Sequence, residues 1–421
     1  MASDGHFDIK SFHRSDKRIY AQRESSTTST TRSSFSQKKW SPLDFHFGKV
    51  LGEGLFGKVY VARMKKQSMS QSILTHTDSS IFFDVAIKIM DKQHVLKIKQ
   101  QRAVLNERNI LTKFTAISSP WTIALHMSFV DEHNLYIVME LCTAGDLNLF
   151  VKQNQNKMNK ATVQYYTAQI LNALEHLHSH SVYHGDLKPE NILLTSNKKV
   201  KLADFGCAVD LNNMTDEAFE FTGTADYTAP EVIKGFIKET AIIQQRIIFA
   251  AIDLWSFGCI IYFMFLCESP FHTKSDYLTL EKILAYAGTS VEKCNADDDL
   301  KYSIDWPVKQ QVPCDAKDLI LKLLVTNPKK RIGALDVGDK YCSLWVHEFF
   351  CALNSNFVRE QKFDYKGDAH ETMSKRCHNS TSTNETFNEA ETVILSPQEK
   401  TFKESEMIDG AEFSKCIEFF S

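Results

Sequence analysis

The sequence contains no C-x-x-C pair. Its ten cysteines lie far apart, which argues against a disulfide framework or a zinc site and fits a reducing compartment. Cytoplasm is the expected location, with the nucleus as the alternative. An excess of charge of one sign is also missing. The formal net charge of −3 gives no ground for nucleic-acid binding. The first ten residues, MASDGHFDIK, are polar and include no apolar core of a secretory signal. No internal repeat is visible. One stretch lacks charge almost entirely: residues 247–267, IIFAAIDLWSFGCIIYFMFLC, carry only Asp253 and are long enough to cross a bilayer. A carboxylate near the centre of a span costs about 2.5–3.5 kcal/mol, so a buried core helix is expected there instead.

What is present is a hydrophobic content of 43% over 421 residues, ample for two or three domains or for one large two-lobed domain. Residues 25–36 are nearly all Ser and Thr, and such a tract cannot offset its ordering entropy by burial. Residues 1–44 therefore read as a disordered N-terminal segment. Residues 45–61 alternate around a Gly-rich turn and predict a hairpin, followed by a polar loop over 66–82. Strands are expected at 84–90 and 135–141, and a helix over 95–114. Helical patterns dominate from 160 onward. Strands first and helices later give an α+β fold in two lobes, about 45–141 and 142–350. Residues 351–421 turn polar again and read as largely unstructured.

The motifs carry the chemistry. LGEGLFGKV at 51–59 places Gly52, Gly54 and Gly57 so that backbone can close over phosphates. Alone the pattern is weak, because ordinary hairpins also use glycine. It opens a strand pair and not a βαβ unit, which disfavours a dinucleotide fold. VAIK at 85–88 puts Lys88 on a strand. A lone strand lysine is most often merely solvated, but Glu107, 19 residues on in VLNERNIL, is a candidate partner that would aim the ammonium at a nucleotide. HGDLKPEN at 184–191 supplies Asp186 to accept a hydroxyl proton, Lys188 to neutralise a moving phosphoryl group and Asn191 as a magnesium ligand. DFG at 204–206 adds Asp204 as the second metal ligand, and APE closes at Glu231. The joint order and spacing match the signature set of protein kinases.

Over residues 45–350 the chain thus resembles the protein kinase superfamily. Within it the chain resembles the AGC Ser/Thr group, and there the 3-phosphoinositide-dependent kinases, through DFHFGKVLGEG, NERNIL, GTADY, SPFHTKSDYLTLEKIL and LLVTNPKKRIG. The resemblance implies a bilobal kinase fold, ATP and Mg²⁺ as cosubstrates and Ser/Thr proteins as acceptors. It assigns Leu51, Gly52, Glu53, Gly54, Gly57, Val59, Ala86, Lys88, Glu190 and Asp204 to the ATP pocket. It adds Glu140 and Cys142 at the adenine behind Met139, and Asp146 at the ribose. Lys188 and Thr224 suit a Ser/Thr kinase. Asp253 is the implied brace of the catalytic loop, and Arg331 the implied partner of Glu231. The 66–82 loop and the 234–252 stretch look expanded relative to the family.

One residue departs from the family: Gly185 stands where the catalytic-loop Arg is expected. In the family three basic groups hold an activation-segment phosphate, and the matching positions are Asn106, Gly185 and Val209. The phosphorylated position itself becomes Glu220, and a carboxylate without cations gains little. An active kinase without activation-segment phosphoregulation is the expectation. The competing class is a kinase-fold binding protein, although degraded kinases usually also lose Lys88, Asp186 or Asp204. The family's small-lobe docking pocket for substrate tails maps to Lys92, Val95, Leu96, Val104, Arg108 and Leu135, which could equally be core. Lys39 and Ser128 accompany Arg108 as phosphate-binding positions, whereas Val130 replaces a polar residue. The roughly 70 polar residues after 350 are too few for a phosphoinositide-binding PH domain of about 100 residues. The AEFSKCIEFFS terminus either folds back onto that pocket or stays unstructured.

Overall fold

The computed structural model describes residues 40–65, 82–213, 223–235, 242–286, 304–307, 311–336 and 340–351. The loop expected over 66–82, the acidic position Glu220, Lys39 and everything after 351 lie wholly or largely outside these residues.

The small lobe is a five-stranded antiparallel sheet. Its strands are β1 (Phe45–Gly54), β2 (Gly57–Lys65), β3 (Phe82–Asp91), β4 (Leu125–Val130) and β5 (Asn134–Glu140), in the order β1-β2-β3-β5-β4. The expected hairpin is the β1–β2 pair, closed where Gly54 faces Gly57. A Cβ at Gly57 would overlap the carbonyl of Ile89 on the neighbouring strand, so only glycine allows β2 to start there.

The single helix expected over 95–114 is two helices, α1 (Lys92–Lys97) and α2 (Gln101–Ala116). Asp91 caps α1 by accepting from the His94 amide at 2.7 Å. Lys99 then takes a φ of +55°, which ends the first helix before the second begins. α2 buries Val104, Ile110, Leu111 and Phe114 in one continuous core with Met90 and Leu135 of the sheet. That stripe at helical spacing fixes which face of α2 meets the sheet.

The large lobe is helical. α3 (Leu147–Gln153) and α4 (Lys160–Ser179) precede the short strand pairs that carry the catalytic loop: β6 (Val182–Tyr183) with β9 (Val209–Asp210), and β7 (Ile192–Leu194) with β8 (Val200–Leu202). After α5 (Pro230–Ile233) comes α6 (Ile242–Leu266), then α7 (Asp276–Ala285), α8 (Cys314–Leu323) and α9 (Cys342–Trp345). From Ile247 onward α6 is apolar apart from Asp253 and Ser256, and 94% of its most apolar window, within Gln244–Leu266, is buried by protein. Trp255, Phe257 and Ile260 are fully covered. The helix is thus packed as a core element, as a helix without a polar face must be in water. The whole is the α+β, two-lobed arrangement read from the sequence.

Candidate active site

The site forms where β3, α2, the loop after β6 and the turn before β9 converge. Lys88 lies on β3 opposite Val59 of β2. Its Nζ reaches Glu107 of α2 at 2.7 and 3.0 Å, and Asp204 Oδ1 lies 3.6 Å away. Burial alone would lower the Lys88 pKa, but the two carboxylates outweigh it and hold the ammonium charged, well above its ordinary value. Burial pushes the Glu107 carboxyl up, with Lys88 opposing. Asp204, drawn down chiefly by Lys88 and also by Lys188, stays ionised. The sequence missed Phe56, whose ring centroid lies 5.5 Å from the Lys88 ammonium. The neighbouring Leu55 carbonyl is held by His94 Nε2 at 2.9 Å, which ties the hairpin tip to α1.

The catalytic loop is held before any substrate arrives. Asp186 Oδ1 accepts from the Thr224 amide at 3.0 Å, and Oδ2 accepts from Lys188 Nζ at 2.7 Å. The same ammonium donates to Thr224 Oγ1 at 2.7 Å. Thr224 in turn accepts from the Thr228 hydroxyl at its carbonyl. Asn191 donates its amide nitrogen to the Asp186 carbonyl at 2.8 Å, which leaves its amide oxygen for a cation. With the ionised Asp204 this is an all-oxygen donor set that suits a hard divalent cation such as magnesium. The Asp204 side chain is 40% exposed, so its carboxylate is accessible despite its charged neighbour.

The other residues assigned to the nucleotide lie on β1, β2, β3 and β5 and on the segments that follow β5 and β6. A Cβ at Gly52 or Gly54 would meet nothing within 4 Å; packing does not require glycine there, and the open space suits phosphates. Leu51 and Glu53 are exposed on β1, with Glu53 3.4 Å from Lys58. Val59 is partly buried, while Ala86 and Met139 are buried. Glu140 Oε2 pairs with Lys201 at 3.1 Å and accepts from the Ala124 amide. Burial pushes the Cys142 thiol up to about 12, so it stays protonated. Asp146 caps α3 through the Leu149 amide at 2.7 Å. Burial raises the Glu190 carboxyl.

Asp253 is fully buried on α6 and braces the loop from behind. It accepts from the backbone amides of His184 (2.7 Å) and Gly185 (2.9 Å), and His178 Nε2 lies at 2.8 Å. Burial would raise its pKa, but these partners outweigh it and keep it low. Glu231 and Arg331 form the implied buried pair at 2.8 and 3.1 Å.

Gly185 has a backbone reason beyond the lost charge. Its φ is +75°, and a Cβ would lie 2.5 Å from the Cys207 carbonyl oxygen. Gly185→Ala is expected to cost about 1–3 kcal/mol, read as a lower melting temperature; an unchanged melting temperature would refute this. Asn106, one of the three positions read as a lost cation, is employed: its Nδ2 donates to the carbonyls of Ala208 (2.6 Å) and Phe205 (3.2 Å). Val209 is buried in β9. Of the docking positions, Val95, Val104 and Leu135 lie in the core. Lys92 is buried with its ammonium on the Asp131 and Glu132 carbonyls, and Leu96 and Arg108 are partly exposed.

Residues 45–341 match the protein kinase domain family model. The chain is 31% identical over 326 residues to the human (Homo sapiens) 3-phosphoinositide-dependent protein kinase 1, covering 77% of this chain and 50% of that protein. It is 33% identical over 321 residues to the serine/threonine-protein kinase ksg1 of Schizosaccharomyces pombe, covering 73% and 45%. To the serine/threonine-protein kinase SCH9 of Candida albicans it is 31% identical over 326 residues, covering 77% and 36%. The chain thus spans half or less of the length of these relatives.

Proposed function

The chain belongs to the protein kinase family, and we propose that it is a serine/threonine kinase transferring the terminal phosphoryl group of ATP to protein hydroxyls. The observation that carries this reading is the cluster of Asp186, Lys188 and Thr224. Both oxygens of the Asp186 carboxylate are held, at 3.0 and 2.7 Å, so it stands oriented to accept the proton of an incoming hydroxyl. Lys188 sits beside it to offset charge on the transferred group. Lys88, fixed by Glu107, would hold the α- and β-phosphates, and the Gly-rich hairpin would cover them. Asn191 and Asp204 would hold Mg²⁺, which when bound neutralises charge developing on the phosphate oxygens.

The finer reading concerns control and targets. With Asn106, Gly185 and Val209 at the three phosphate-holding positions, no activation-segment phosphate is needed for activity. Likeness to a 3-phosphoinositide-dependent kinase supports activation segments of other AGC kinases as acceptors. A substrate tail docking on the small lobe would meet Leu96 and Arg108, whereas reaching Val95, Val104 or Leu135 requires repacking. The cysteine usage supports a cytoplasmic location, with the nucleus as the alternative. The test is transfer of labelled phosphate from ATP-Mg²⁺ to a generic Ser/Thr protein and to an AGC activation-segment peptide. Label on serine or threonine is expected. Nucleotide binding without transfer to either acceptor would instead identify a kinase-fold scaffold.

A further inference from the structure

Lys113 lies on α2, six residues beyond Glu107, or about 9 Å along the helix axis. Its ammonium lies 2.8 Å from Asp210 Oδ2 on β9 and donates to the His180 carbonyl at 3.1 Å. The Asp210 side chain is only 9% exposed. Its carboxylate also accepts from the Asn212 amide and the Asn213 side chain, which fixes its orientation. Nearer the middle of α2, Asn106 grips the Phe205 and Ala208 carbonyls. The helix that carries Glu107 is therefore tied at two points to residues 205–210, a stretch that begins directly after Asp204. β9 in turn pairs with β6, Val182 facing Asp210 and Tyr183 facing Val209, and β6 runs straight into the loop holding Asp186.

We propose that the Lys113–Asp210 ion pair, together with Asn106, is a built-in tether that holds α2 where Glu107 reaches Lys88. It replaces by a permanent charge pair the ordering that a phosphate would otherwise supply. The proposal rests on the kinase reading of the site and deepens it. Among the described hydrogen bonds and ion pairs neither Lys113 nor Asp210 meets a residue assigned to nucleotide, metal or proton, so both are positioning residues. An exposed ion pair would contribute little. This one differs because the carboxylate is largely shielded from water, the ammonium has a second acceptor, and the partners are 97 residues apart, on α2 and β9. Loss of the pair shifts the population of α2 away from the competent position, and turnover falls by the same fraction.

The test uses the full chain and the variants Lys113→Met and Lys113→Arg. Methionine keeps the helix propensity and the apolar stem, so α2 itself persists. The Met variant is expected to lose at least about tenfold in kcat/KM for ATP, whereas Arg, which keeps the charge, stays within about threefold. Amide hydrogen exchange in the Met variant should quicken at 101–116 and 203–210 and stay unchanged at 248–264 in α6. Wild-type kinetics, unchanged exchange at 101–116, or uniform acceleration across both lobes would each overturn the tether. If the wild-type chain transfers no phosphate, the kinase reading fails by that result, and the exchange comparison alone decides the tether.

Discussion

Asp186→Asn lowers phosphoryl transfer by about 10²–10⁴-fold, the range by which a positioned base accelerates proton removal. The substitution is close to isosteric, and the asparagine amide oxygen can still accept from the Thr224 amide, now at 3.0 Å. The loop therefore keeps its shape while losing the group that takes the proton. Two features make the effect specific. Lys188 donates to both Asp186 and Thr224, so removal of the carboxylate charge also weakens the hold on Lys188. Lys88 and Glu107 hold each other apart from this loop, so nucleotide affinity should change little. The measurement is the initial rate of transfer alongside nucleotide affinity. A variant within a few-fold of the wild-type rate would remove Asp186 from the chemistry.

Arg331→Met acts on the fold and costs about 3–5 kcal/mol, because it strands a buried carboxylate. Arg331 is 2% exposed and Glu231 3%. The guanidinium makes the two parallel contacts with Glu231 and also donates to the carbonyls of Val325 and Ala251. It lies 5.1 Å from the Trp255 ring centroid. Glu231 sits in α5, three residues after the Thr228 that fastens Thr224, so the pair anchors the far end of the segment holding the catalytic aspartate. A fall in melting temperature on the order of 10 °C is expected. The double variant Arg331→Met, Glu231→Gln should recover part of the loss, because the stranded charge is gone. A single variant that melts like the wild type would show that the pair carries no net stability.

The residues proposed for nucleotide and catalysis were legible because chemistry restricts such groups to a few residue types at close spacing. HGDLKPEN, DFG and VAIK each put charge or amide groups in a short window, and the structure gathers all of them. Glu107 was legible as soon as Lys88 needed a partner. The brace by Asp253 and the pairing of Glu231 with Arg331 were reachable only through family resemblance, since nothing local to each residue predicts its partner. The break between α1 and α2 escaped because Lys99 adopts a positive φ that no residue pattern announces. Gly185 was read for the charge it lacks, while its φ of +75° is a property of the folded loop. Lys113 and Asp210 look like ordinary solvated charges in sequence. Only the packing of α2 beside β9 brings them to 2.8 Å.

We propose an intact kinase centre whose active arrangement needs no activation-segment phosphate. The most direct test is the initial rate of labelled phosphate transfer by the full chain before and after exhaustive phosphatase treatment, with Asp186→Asn as the blank. The expected rate is well above the blank and unchanged by the treatment. A rate that falls to the blank after treatment and returns on rephosphorylation within residues 207–226 would contradict it.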